Sequence, residues 1–554
     1  MSEQSDSPTS AVQETVAGQR VFVRNATGLV KTASAFDMAV FNICGNMVIP
    51  FATGLFYAYA IWPRTNFPVS IILGGILCSF TWVCWALLST TMPRTGGGYI
   101  FNSRIIHPAV GFAFDWLLFL SSVLAMALWT TWLSNVALTS AFSVYGSIQN
   151  NARVSGWATT VLSKGWTFGL GLLLIAAVFG LAAISLKGSL RMQNITFLVS
   201  TAGLLIGSII MLFTSQGTFA SHFNKYAQPY TKSPDSYHWV ITQAAKQGFN
   251  SPGVAGFSTA DTLAAVWVVM TVSIWAWSSA YMAGEMRGAN RASRQLRVMA
   301  GSGTAQILIL LFATTVFLHT TGTTFFTSLN YLNTIGGSPL PAPPYYTLLT
   351  GLVATNPLVV GLLVGSFVLG IWAGLWELIG VTTRPLFAYA FDGVLPYKVA
   401  DVNPRTRTPV FAIGVMAIAC VGVHYWATYD NTGFFKIWAY VGLFAFVTMA
   451  LTAISAILLP LRRPDDYARS TARYSILGIP AVQIAGVASL FTCGVYFFIV
   501  FKYPTVLGTA TLRQAWTAVA LALASGFVIF YVSRYLRSRQ GVKLDVAFTE
   551  IPPD

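Results

Sequence analysis

The stretch 41-FNICGNMVIPFATG-54 decides the fold. It lies in an apolar run long enough to cross a bilayer, yet Gly45, Asn46 and Pro50 occupy its centre. Glycine weakens a helix through backbone freedom, and proline removes an N–H and crowds the preceding turn. At membrane depth no water satisfies the backbone groups that a break releases. Such a break survives only where protein or a water-filled cavity supplies the missing partners. The stretch therefore predicts an opened helix that lines a cavity inside a bundle of membrane spans.

Composition agrees. Of 554 residues 55% are apolar and 9% charged, far from the balance of a soluble globular chain. Crossing a hydrocarbon core takes about 20 apolar residues as helix. Such runs recur about twelve times, near 36–60, 68–90, 109–141, 166–186, 192–214, 262–284, 298–320, 357–388, 409–428, 434–460, 476–501 and 514–536. The expected fold class is an all-α polytopic membrane protein of about 12 transmembrane helices. The polar first 35 residues lack the pattern of a signal peptide and read as a disordered cytoplasmic tail. With the N-terminus inside, cytoplasmic segments collect 23 of the 32 Lys and Arg residues, which puts both termini in the cytoplasm. That placement beside anionic headgroups also accounts for the net charge of +15 without a nucleic-acid partner. The five cysteines, Cys44, Cys78, Cys84, Cys420 and Cys493, fall inside spans with no metal-ligand spacing and read as buried free thiols.

A second disturbed span follows in 269-VMTVSIWAWSSAYMAGEM-286. Ser273, Trp275, Trp277, Ser278 and Ser279 crowd its centre. Spans one to five and six to ten then form two halves that each open on an interrupted helix. Disturbed helices at corresponding positions of two halves point to the binding site of a transporter.

The loops carry a more specific signal in 92-MPRTGGGYIFNSRIIHPAVGFAFDW-116, 281-YMAGEMRGANRASR-294 and 382-TTRPLFAYAFDGVLPYKVADVNPRTRTPVF-411. In order, and each at the cytoplasmic end of its span, they resemble the loop motifs of amino acid-polyamine-organocation permeases. The resemblance covers roughly residues 36–536. It implies a leucine-transporter-like fold of two inverted five-helix repeats plus two extra helices, with helices 1 and 6 discontinuous. The implied division is a tail at 1–35, a first repeat at 36–214, an extracellular loop at 215–261, a second repeat at 262–460, helices 11 and 12 at 461–536, and a cytoplasmic tail at 537–554. In such a fold the opened parts of spans one and six offer free backbone groups to the substrate. The substrate-binding candidates are thus Cys44, Gly45, Asn46, Met47, Ile49 and Pro50 with Ser273, Ile274, Trp275, Ala276, Trp277 and Ser278. Where many relatives carry Gly-x-Gly in the first break, this chain has Ile49, Pro50 and Phe51, a bulkier site with one N–H fewer.

Glu377, in the middle of span eight, is the outstanding intramembrane charge. An acidic residue there costs about 2.5 to 3.5 kcal/mol and marks a functional position by default, here a proton carrier or a counter-charge for a substrate amine. Ser200 occupies the place of a coupling lysine found in some proton-coupled members. Glu285, which lies among Arg287, Arg291 and Arg294, reads with Arg287, Arg384 and Asp392 as a cytoplasmic gate. His319 and His424 stand alone and no H-E-x-x-H occurs, so an enzyme is not expected. Neither a cofactor nor a metal is expected. The expected partners are the lipid bilayer, a small-molecule substrate and, through Glu377, protons. The function read from the sequence is a plasma-membrane permease moving an amino acid or related amine by alternating access. The alternatives are a carrier of another organic cation and a transport-inactive receptor with the same fold.

Overall fold

The computed structural model describes residues 13–16, 19–22, 31–354, 356–403, 405–406, 408–430, 433–541 and 544–551. Helix α1 (Ala35–Ile43) begins at a capping box. The Ser34 hydroxyl accepts the Asp37 N–H at 3.1 Å, and the Asp37 carboxylate accepts the Ser34 N–H at 2.8 Å, which satisfies two otherwise orphaned donors. Residues 44–48 then unwind. Helix α2 (Ile49–Ile61) restarts with Pro50 in its first turn, where a missing N–H costs little. Pro50 therefore opens a helix and does not kink one.

The chain continues through α3 (Phe67–Thr91), the short α4 (Gly98–Ile105), α5 (Pro108–Ile148), α6 (Lys164–Ile184) and α7 (Leu186–Leu212). Gly96 and Gly97 take positive φ values of 113° and 47° in the turn before α4, a conformation that glycine adopts freely. Helix α5 outruns its expected span and contains a π-helical stretch, Leu133–Leu138. Helix α8 (Thr259–Ser273) is capped by Ser258. It gives way to an opened segment at 274–277 and two 3₁₀ turns, Ser278–Tyr281 and Ala283–Glu285. The second half of the expected sixth span is thus not α-helical. Next come α9 (Ala292–Thr321), α10 (Pro357–Phe391), α11 (Val410–Tyr429), α12 (Gly433–Arg462), α13 (Ala481–Lys502) and α14 (Leu512–Arg539). Gly393, at φ 82°, terminates α10 as its Asp-Gly pair predicts.

Among the described residues eleven helical stretches are long and apolar enough to span a membrane, Thr259–Tyr281, which joins α8 to the turn after it, being one of them. The first crossing is split, so neither α1 nor α2 reaches that length alone. The chain is a multi-pass membrane protein. Its most apolar window in the α8 region is 94% buried, against 28% in α14, so the opened sixth span sits at the centre and α14 at the rim. All five cysteines are buried free thiols.

Residues 31–34 and 544–551 both dock at one end of the bundle, called here the terminal end. The Ala33 N–H donates to the Glu285 carbonyl at 3.1 Å, and Arg463 donates to the Thr549 carbonyl at 2.9 Å. Of the expected N-terminal tail, residues 1–12, 17–18 and 23–30 lie outside the described residues, while Gln13–Val16 and Gln19–Phe22 pair as an antiparallel hairpin. Within 215–258 the helices Gln216–Thr231 and Ser236–Lys246 pack on an aromatic cluster in which Tyr237 stacks on Phe325 at 4.3 Å.

Candidate functional site

Opening two helices strands backbone donors and acceptors in a dry interior, and side chains from four other places answer them. The Gly45 N–H donates to Glu377 Oε2 at 3.0 Å, and the Ser278 hydroxyl lies 2.9 Å from Glu377 Oε1. One carboxylate thereby joins both breaks. Asn42 accepts the Ser279 N–H at 2.7 Å and donates to the Val298 carbonyl at 2.8 Å. Gln306 caps the Asn46 carbonyl at 3.0 Å, and the Trp82 indole caps that of Ile274 at 3.0 Å. The resemblance implies backbone groups free for a substrate at the breaks; in this structure these four groups have partners within the protein.

Ser278 adds a constraint. Its oxygen is 2.7 Å from the Trp275 carbonyl and 2.9 Å from Glu377 Oε1, but a hydroxyl has a single proton to give. If Ser278 donates to Trp275, Glu377 must supply the proton between them. If Glu377 is ionised, Ser278 turns to it, and the Trp275 carbonyl keeps only the Ser278 N–H at 2.9 Å. The arrangement accommodates either protonation state with a hydroxyl rotation.

Glu377 opens onto a cavity of about 50 Å³ that is also lined by Asn46, Pro50, Thr271 and the indoles of Trp129, Trp132, Trp275 and Trp438. No lysine or arginine lines it. A buried water occupies roughly 10–15 Å³ on such a scale, so a larger solute enters only when the walls part. Away from the terminal end the aromatic wall runs on from Trp132 to Trp438 at 5.5 Å and to Tyr57 at 5.3 Å.

Towards the terminal end the contacts turn polar. Arg384 clasps Glu285 through two hydrogen bonds of 2.9 Å, both side chains being buried. Arg104 meets Asp392 at 2.6 Å, again in the interior. Asp115, fully buried on α5, accepts from the Tyr281 hydroxyl at 2.5 Å and the Tyr389 hydroxyl at 2.6 Å.

A split first helix, a split sixth and a buried carboxylate between them form the setting in which the sequence comparison is decisive. The model of the amino acid permease family matches residues 34–537. The chain belongs to the amino acid permease family. It is also similar to the methylthioribose transporter of Bacillus subtilis (strain 168), with 23% identity over 513 residues, 91% of this chain and 93% of that protein.

In this permease the structure distributes the residues singled out from sequence. Asn46, Pro50 and Trp275 line the cavity with Glu377, while Gly45 and Ser278 hold its carboxylate. Cys44 packs instead, its thiol 3.4 Å from the Ala373 carbonyl, and Met47, Ile274 and Ala276 are buried. Ile49 begins α2, and its side chain lies outside the described residues. Ser273 ends α8 with a buried hydroxyl that has no hydrogen-bond partner among the described residues. Trp277 does not reach the cavity, because it stacks on Trp85 at 4.3 Å. Ser200 bonds back to the Phe197 carbonyl of its own helix at 3.0 Å. Glu285 takes its partner from α10 and not from the neighbouring arginines; Arg287 is exposed and donates to the Lys31 carbonyl at 3.2 Å. Sequence reading missed Asn42, Trp129, Trp132, Trp438 and Asp115. Asp115 carried a signal, an acid in the apolar run 112-FAFDWLLF-119.

Proposed function

We propose that the chain is a secondary active permease that carries a small organic amine by alternating access, with Glu377 as counter-charge and proton carrier. The observation that carries this reading is the single carboxylate facing a cavity walled by four indoles. An indole face attracts a cation, more strongly once water is excluded, and the carboxylate neutralises it. A substrate carboxylate finds no cationic partner: the cavity lining holds no lysine or arginine, Pro50 has no N–H, and the Gly45 N–H is already bonded to Glu377. A zwitterionic amino acid is therefore the weaker fit, and an amine without a carboxylate the stronger.

The 5+5 inverted repeat of the family is part of this proposal, as are the plasma membrane and a cytoplasmic placement of the terminal end. On that placement Glu285 with Arg384 and Arg104 with Asp392 are cytoplasmic gate pairs, and the aromatic stack from Trp132 to Tyr57 closes the outer side. A second reading is favoured by the named relative. A neutral thioether sugar also stacks on indoles, and its hydroxyls would donate to Glu377.

Reconstituted vesicles separate these readings. Uptake of radiolabelled amines, amino acids and methylthioribose is followed with and without sodium and with and without a pH gradient. Saturable amine uptake that rises with an imposed proton gradient supports the proposal. Uptake of methylthioribose alone favours the second reading, and no uptake of any of them removes both.

A further inference from the structure

The last described residues return to the bundle after α14 ends. The turn Leu544–Phe548 buries Leu544 and Phe548 to 3% and 4% exposure. The Phe548 ring lies 4.9 Å from the Arg104 guanidinium, which also sits 5.4 Å from the Tyr99 ring. Arg463, just beyond α12, holds this segment by its backbone. It donates to the Thr549 carbonyl at 2.9 Å and the Phe548 carbonyl at 3.3 Å, and its Nε donates to the Arg104 carbonyl at 3.1 Å.

Arg104 is the residue this cover protects. Its side chain is fully buried and paired with Asp392, yet its Nε finds no hydrogen-bond partner among the described residues. A buried cation with an unmet donor favours any state in which water reaches it. An aromatic face supplies part of the missing stabilisation and keeps water away. Phe548 thus holds dry an ion pair that hydration would help to separate.

We propose that residues 544–551 form a built-in strap that keeps the terminal gate closed by covering the pair of Arg104 and Asp392, so that displacement of the strap is a regulatory step in opening. The inference takes the terminal end to be one of the two gates. Its test reads opening directly and needs no substrate, so its failure is distinct from failure of the amine assignment.

The reporter is Ala388→Cys, a buried position on α10 between Arg384 and Asp392, in the purified full-length protein. The rate of maleimide labelling is compared with that of the same protein carrying Phe548→Ala, Phe548→Tyr, or a chain ended after Gln540. Phe548→Ala and the shortened chain are expected to label about thirtyfold faster, the scale of losing one desolvated cation–π contact. Phe548→Tyr keeps a ring over Arg104 and is expected to label at the parental rate. Two results overturn the proposal: an unchanged rate in Phe548→Ala and the shortened chain, or an equal acceleration at the buried native thiol of Cys493, which signals general loosening.

Discussion

Replacing Glu377 by glutamine tests whether this carboxylate is a proton carrier or a structural strut. The geometry sets the expected cost. A glutamine oxygen accepts the Gly45 N–H that Oε2 now accepts at 3.0 Å. Its amide then donates to the Ser278 oxygen, while Ser278 gives its proton to the Trp275 carbonyl 2.7 Å away. Every partner is satisfied, as with a protonated Glu377, so Glu377→Gln is expected to lose no more than about 1 kcal/mol. Alanine leaves the Gly45 N–H without this acceptor in a buried site, which costs about 1–3 kcal/mol. The assay pairs thermal unfolding of the purified variants with uptake across a pH series. Glu377→Gln is expected to unfold near the parental temperature and to show uptake that no longer varies with pH. Parental pH dependence in Glu377→Gln, or a stability loss equal to that of Glu377→Ala, would refute the reasoning.

Three further perturbations follow from the same contacts. A Cβ added at Gly45 runs into the Glu377 carboxylate and comes within 3.3 Å of the Gly374 backbone, so Gly45→Ala is expected to abolish pH-dependent uptake while still reaching the membrane, as fluorescence-detected size exclusion and vesicle uptake will show. Removing one partner of the buried pair of Glu285 and Arg384 strands a charge at a cost of about 3–5 kcal/mol. Glu285→Met and Arg384→Met are each expected to lower the unfolding temperature, and the double variant to recover much of the loss. Trp438→Ala removes one indole face, and the KM for an amine is expected to rise by about fivefold or more, with Trp438→Phe intermediate, on a cation–π scale of about 1 kcal/mol.

The parts of this molecule that were legible in its sequence are those set by local chemistry. Apolar runs marked the eleven helical stretches long enough to span a membrane because lipid imposes length and composition. Gly45, Asn46 and the Trp-Ser cluster marked the breaks because breakers act on their own helix. Glu377 stood out because its cost at depth is independent of its neighbours. What stayed hidden depends on helical phase between spans distant in sequence. Trp129 and Trp132 on α5 and Trp438 on α12 look like any membrane tryptophan until the bundle turns them towards Glu377. Asn42 and Gln306 read as ordinary polar residues, since their role is to cap groups released elsewhere. The same limit left the partner of Glu285 open: sequence placed it among Arg287, Arg291 and Arg294 and in one group with Arg384, and only the 3₁₀ turn, which aims the carboxylate at α10, selects Arg384.

The proposed binding and gating groups meet in one short element. The turn Ser278–Tyr281 places Ser278 on Glu377 and, three residues later, Tyr281 on Asp115. A cationic substrate that draws the Glu377 carboxylate into the cavity must weaken its bond to Ser278, to the Gly45 N–H, or to both. Losing Ser278 frees the start of a 3₁₀ turn, whose hydrogen bonds are intrinsically poorer than those of an α-helix. The far end of that turn is held by the bond from Tyr281 to Asp115, and Asp115 also binds Tyr389 on α10, between Arg384 and Asp392 of the terminal gate pairs. On the proposed function, occupancy of the cavity would be conveyed to the terminal pairs through this segment of four residues, whose two ends are held by Glu377 and Asp115. Because the sixth span is 3₁₀ and not α beyond Trp277, the Ser279 N–H is held by the Asn42 side chain and not by a carbonyl of its own helix, which ties the same turn to α1 as well as to Glu377.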